Sequence, residues 1–278
     1  MIKPVLKWKI ETLIVSYSHK LDSKVFEEWN KNIGSNLDMP TLFEKINEQN
    51  IRVTFHLPEK LNADVYKKSF RMATILLVSF NVATLGHIWW SPALWPYKFK
   101  IYDLPSNQKV TTKFIFTEKR DWGSRVLEEE DLRKTAILFP IVAKLDEKFF
   151  EFYSIAMTLL SSPTIEHSFY QEIFANFYKI IERFAATEIV KTQRLKDINL
   201  NKLKEIYKDL GSSDEFLEEL NGLYQLRGST VMHSLGKDKP VTFEEAGKCK
   251  IFADFLLHKH LLKRANEGLK QMREEKDL

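Results

Sequence analysis

Cysteine occurs once in this chain, at position 249, so no intrachain disulfide can form and no thiolate metal cluster can be assembled. Glycine and proline are scarce as well, nine of each in 278 residues, which excludes collagen-like repeats, long flexible linkers and low-complexity tracts. There is no glycine-rich phosphate loop, no G-x-S-x-G elbow and no cysteine–histidine nucleophile signature. Metal ligation finds no support in the histidines either. His258 and His260 are two apart in a helical stretch and point about 200° from each other, the wrong geometry for a shared ion. His87 and His167 have no carboxylate or histidine at ligand spacing. No cofactor and no metal is expected.

A signal-peptide core is lacking, because the opening MIKPVLKWKIETL interrupts its apolar run with Lys7, Lys9 and Glu11; the expected location is cytoplasmic. Charge of one sign is lacking too. Against 42 basic side chains stand 38 acidic ones, a net charge of +4 whose excess falls in the first half of the chain. A solvated mixed-charge surface fits this balance better than the dense Lys/Arg clusters of a dedicated nucleic-acid binder. What the chain does have is apolar mass: 44% hydrophobic and 13% aromatic residues, 20 of them Phe, enough for a real core.

One stretch, 72-MATILLVSFNVATLGHIWW-90, contains no Asp, Glu, Lys or Arg, follows Lys67, Lys68 and Arg71, and ends in two tryptophans. Those features suit a membrane span. Ser79, Asn81, Thr84, Gly86 and His87 inside the run, and the lack of a second such span, suit a helix buried in a domain, so no membrane partner is expected.

Period-two alternation over 5–17, 51–57, 97–102 and 110–117 predicts strands, the last two joined as a hairpin by the turn-rich 103-DLPSNQ-108. Short helices are predicted over 24–32 and over 40–49, the second with Pro40 at its start, and a long apolar helix over 62–86. The charged run 118–134 reads as a solvated surface, and a domain boundary is placed within 120–142. From 144 onward the pattern is helical. Ser162 and Pro163 open a segment in which Phe169, Ile173, Phe177, Ile180, Ile181 and Phe184 make one apolar face. A short helix follows at 200–209. Ser212 and Glu215 stand in capping-box spacing ahead of a stripe of Phe216, Leu220, Leu223 and Tyr224. Thr242 and Glu245 repeat that spacing ahead of a last long helix over 246–270, with Phe252, Phe255, Leu256 and Leu262 apolar. The fold class is α+β: a mixed α/β domain over 1–135 followed by an all-α bundle over 144–270.

Chemistry is offered by one segment, 223-LYQLRGSTVMHSLG-236, in which Arg227 precedes His233 by six residues. An imidazole titrates near neutrality and can move a proton from a ribose 2′-hydroxyl or to a leaving 5′-oxygen. A guanidinium can hold the phosphate and offset charge growing on its oxygens, without a metal. A regular helix would set the two side chains about 120° apart, so they converge only if the helix breaks between them. Gly228, with Thr230 and Val231, supplies a place for such a break. Two unrelated polar residues at a helix end is the other reading of the same spacing.

The segment LYQLRGSTVMHS resembles the arginine–spacer–histidine motif of HEPN domains, in particular the abortive-infection (ApeA-like) branch. The segment 166-EHSFYQEIFANFYKIIERFA-185, with its YKIIE element, resembles that branch's second helix, and the likeness extends over about residues 144–266. It implies an all-helical domain and a metal-independent ribonuclease, often a toxin or antiphage effector. Arg227 and His233 would be its catalytic pair, and Glu182 an orienting partner for Arg227. It also implies RNA (tRNA or mRNA) as substrate, a homodimer through the helical domain, and an antitoxin or trigger protein as partner. Gly228 stands where the family usually has a polar residue, and some members have lost catalysis. The alternative is therefore a non-catalytic HEPN module that binds a nucleotide, RNA or a protein.

Overall fold

The computed structural model describes residues 8–16, 19–20, 27, 30–31, 41–57, 63–90, 100–103, 125–161, 169–228 and 240–274. The chain is α+β: an antiparallel sheet in its first part and helices in its second. It divides into two compact units, residues 1–140 and 141–278.

In the first unit the strand β1 (Trp8–Ser16) is the organising element. The strand β4 (Asn50–Leu57) pairs antiparallel along one of its edges, from Trp8 opposite Leu57 to Val15 opposite Asn50. The other edge is shared by two short antiparallel strands, β5 (Ile88–Trp90) beside Ile14–Ser16 and β6 (Lys100–Asp103) beside Trp8–Glu11. Beyond β4 lies β3 (Thr41–Lys45), with Phe43 opposite Val53. Ile14 faces Ile51 across the β1–β4 pair, and both are fully buried with Phe43, Val53 and Phe55. A separate parallel pair joins β2 (His19–Lys20) to β7 (Arg125–Val126).

Residues 41–45, predicted as part of a helix, are thus a strand. Ladder bonds to β4 satisfy one edge, and on the other the Asn30 amide donates to the Phe43 carbonyl at 2.8 Å and accepts its N–H at 2.7 Å. Backbone satisfied from both sides outweighs the weak helical spacing of Leu42, Phe43 and Ile46. Of the helix predicted over 24–32, Glu27, Asn30 and Lys31 are described and are helical. The strand predicted over 110–117, and so the hairpin built on it, lies outside the described residues.

The charge-free stretch falls into two elements. Helix α1 (Ala63–Thr84) ends before the β5 strand begins, and its residues 73–84 are all buried. Its polar residues are satisfied locally: the Ser79 and Thr84 hydroxyls donate to the carbonyls of Ile75 and Phe80, at 2.7 and 2.9 Å. Asn81 binds Ile88 on both sides, accepting its N–H at 2.9 Å and donating to its carbonyl at 2.7 Å. Among the described residues no helix is long and apolar enough to cross a membrane. Helix α2 (Glu129–Val142) carries Glu129, Glu130 and Asp131 in its first turn, where the helix dipole favours acids.

The second unit is bundle-like. Helix α3 (Glu147–Ser161) is followed by α4 (Tyr170–Phe184), whose helical path continues as a π-helical segment over Ala185–Val190. After a 3-10 turn at Leu195–Asp197 come α5 (Leu200–Asp209), α6 (Asp214–Leu226) and α7 (Phe243–Glu274). Helix α4 packs against both α3 and α7, so its buried arc is wider than one stripe: Ile173, Phe174, Phe177, Tyr178, Ile180, Ile181 and Phe184. Edge contacts such as Tyr153 on Phe177, with ring centroids 5.8 Å apart, fill the α3–α4 seam.

The box at Thr242 and Glu245 forms with both reciprocal bonds, Thr242 N–H to the Glu245 carboxylate at 2.8 Å and Glu245 N–H to the Thr242 hydroxyl at 3.2 Å. The cap of α6 is Ser213, not Ser212: the Ser213 hydroxyl accepts from the Phe216 N–H and the helix starts one residue later than expected. Its buried stripe shifts accordingly to Leu217, Leu220, Leu223 and Leu226, with Phe216 stacked on Phe252 at 3.9 Å. Ser162 and Pro163 lie outside the described residues.

Candidate functional site

Helix α4 presents Tyr178 and Glu182 one turn apart, and hence on the same side of the helix. Helix α6 brings Arg227 to them as the residue that caps its C-terminus. The Arg227 N–H bonds the Leu223 and Tyr224 carbonyls, so the helix is still intact where the side chain leaves it, at an end where a cation is favoured by the helix dipole. Arg227 Nη2 lies 2.9 Å from Glu182 Oε1, and the guanidinium carbon lies 5.7 Å from the centre of the Tyr178 ring.

The three groups differ in access to solvent. The Arg227 side chain is 28% exposed and that of Glu182 10%. Tyr178 is 2% exposed, stacked on Phe174 at 5.8 Å. Burial pushes the Glu182 carboxyl above its ordinary range, and the adjacent Arg227 charge pulls against that without cancelling it. Burial, then the charge of Glu182, push the Tyr178 phenol far up, so the ring stays neutral at any physiological pH. Behind them the Cys249 thiol, fully buried, contacts the Phe174 carbonyl at 3.6 Å and is held protonated by burial.

Two of the three residues singled out by sequence, Arg227 and Glu182, are therefore in direct contact. His233 lies outside the described residues. Gly228 itself has no positive φ and keeps helical curvature in a wide π-type turn; Thr230 and Val231, the rest of the stretch in which a break was expected, lie outside the described residues. Both helices that form the ion pair widen into π geometry next to it, a feature that recurs at functional sites in proteins.

Tyr178 escaped the sequence reading although it begins the YKIIE element. Its four-residue spacing from Glu182 was the available signal. A second constellation also escaped it. Asp254, 1% exposed on α7, accepts the Tyr153 hydroxyl from α3 at 2.8 Å and is paired with Lys250 one turn before it, itself 5% exposed. Burial pushes the Asp254 carboxyl up, against Lys250, Tyr153 and His258. His258 and His260 serve different neighbours, His260 lying edge-on to Phe184 at 5.4 Å. Among the described residues no three His, Cys, Asp or Glu side chains converge as a metal site.

What the Arg227 site can do follows from its charges. Glu182 engages one nitrogen of the guanidinium, and the partly exposed remainder keeps further N–H donors for an anion. No protein-family profile, no curated protein and no solved structure matches this chain.

Proposed function

We propose that the second unit is a HEPN-type, metal-independent endoribonuclease, acting in the cytoplasm as a toxin or antiphage effector and working as a homodimer. Arg227 holds the scissile phosphodiester and offsets charge on its non-bridging oxygens. His233 takes the proton from the 2′-hydroxyl or returns one to the leaving 5′-oxygen. The 2′-oxygen bonds to phosphorus as the bond to the 5′-oxygen breaks, leaving a cyclic phosphate and a free 5′-hydroxyl. Glu182 orients the guanidinium.

The observation that supports this reading is the Arg227–Glu182 pair at 2.9 Å, which links the residue opening the motif to the acidic residue of the YKIIE element. A perturbed carboxylate held against a partly exposed arginine is a pattern found at reactive sites. The test is purified full-length protein with total RNA and tRNA in EDTA, beside Arg227→Ala and His233→Ala. The expected result is cleavage by the unaltered protein and its loss in both variants. Equal cleavage by all three overturns the proposal. RNA bound but left intact would assign the unit to the non-catalytic kind of HEPN module, a reading favoured by Gly228 in the place of a polar residue.

A further inference from the structure

We infer that Tyr178 is a positioning residue for Arg227, its ring fixing the guanidinium so that the outer donors face an anionic phosphodiester. This rests on the ribonucleotide-binding reading of the site given above.

Glu182 alone meets one nitrogen, and a single contact leaves the guanidinium free to swing about it. The Tyr178 ring supplies the second contact, with the guanidinium carbon 5.7 Å from its centre, inside the range of cation–π attraction. The platform is packed in place: it is 2% exposed, stacked on Phe174 and set one turn from Glu182 on the same helix. An aromatic ring holds a cation without cancelling its charge, whereas a second carboxylate would leave the site net negative. Arg227 carries one positive charge and Glu182 one negative, so a neutral second support preserves attraction for a phosphate.

The hydroxyl is not the acting part. It is buried and has no hydrogen-bond partner among the described residues, a state that costs stability. Nor can it serve as an acid or base, since its proton is held far above the physiological range.

The experiment replaces Tyr178 with phenylalanine and with phenylalanines bearing an increasing number of ring fluorines, which keep the shape and drain the negative ring face. Leucine at 178 is compared with them where it folds. Two quantities are read in EDTA: cleavage of a short RNA, and affinity for the same RNA with its 2′-hydroxyls methylated so that it cannot be cut. Tyr178→Phe is expected within about twofold of the unaltered protein in both. Affinity and rate are expected to fall in step with fluorination, by about fivefold or more at the end of the series. Graded loss of affinity without any cleavage would retain the inference and overturn the nuclease reading. A flat series overturns the inference. A loss in Tyr178→Phe as large as that in Tyr178→Leu also overturns it, because the hydroxyl would then be responsible. Absence of RNA binding by the unaltered protein overturns both.

Discussion

Arg227 Nη2 lies 2.9 Å from Glu182 Oε1, so the residue that caps the C-terminus of α6 is held by the last turn of α4. The carboxyl in this pair is one that folding would prefer uncharged, because its burial raises its proton affinity despite the arginine. A group retained at a cost to stability invites a test in which stability and activity are measured on the same variant.

Glu182→Gln is expected to cut RNA cleavage by about tenfold or more while leaving the fold no less stable near neutral pH. The sign follows from the raised carboxyl. Its contribution is complete below its ordinary value of 4.5 and is lost as pH rises through the folded value. The melting temperature of the variant minus that of the unaltered protein should therefore be near zero at about pH 4 and positive by about pH 7.5. A difference that falls with pH would show that the ion pair outweighs burial.

Gly228→Ala is expected to be tolerated. The backbone there is helical, not left-handed, and an added Cβ meets nothing within 4 Å among the described residues. Alanine should stabilise the unit by about 0.5–1 kcal/mol by restricting the unfolded chain, with cleavage unchanged. Thermal melting and the RNA assay check both halves; a large loss of stability would mean that glycine's freedom is needed after all.

Lys250→Met should be costly. It leaves the Asp254 carboxylate buried without its adjacent lysine, held by the Tyr153 hydroxyl, a change worth about 3 kcal/mol or more. Urea unfolding measures it. The double variant Lys250→Met, Asp254→Asn keeps an acceptor for the Tyr153 hydroxyl and removes the charge, so most of the loss should return. Because burial already raises the Asp254 carboxyl, the single variant should be least impaired at acid pH.

Leu85→Gly is expected to stabilise the first unit by about 0.5–1 kcal/mol. Leu85 follows the last residue of α1 with φ of 51°, a left-handed backbone that a leucine enters at a cost, and its side chain is 42% exposed. Gly86, the residue adapted to that conformation, stands one position too late, where its N–H closes the helix on the Asn81 carbonyl at 3.2 Å. Thermal unfolding of the full chain decides it; a lower melting temperature would mean that the leucine side chain contributes packing that its exposure hides.

What was legible in advance is what acts over three or four residues. The box at Thr242 and Glu245, the apolar face of α4, the bounds of α5 and the pairing strands at 8–16 and 50–57 all follow from local period and capping chemistry. Local rules also mark their own limit. Ser212 and Ser213 are equal candidates for a cap, and only the course of α6 into its neighbours selects the second. Residues 41–45 carry weak helical spacing, and Asn30 and β4 draw them into the sheet.

The sequence by itself determined that this protein is α+β and that its second half is helical. Tertiary packing alone decided that Arg227 meets Tyr178 beside the expected Glu182, and that Asp254 takes a hydrogen bond from Tyr153, a residue 101 positions away. The reason is one of range. Helix formation and capping are settled by dihedral preferences and neighbours within a turn, whereas a buried charge is tolerated only where another helix delivers its partner, and that depends on how whole apolar faces pack.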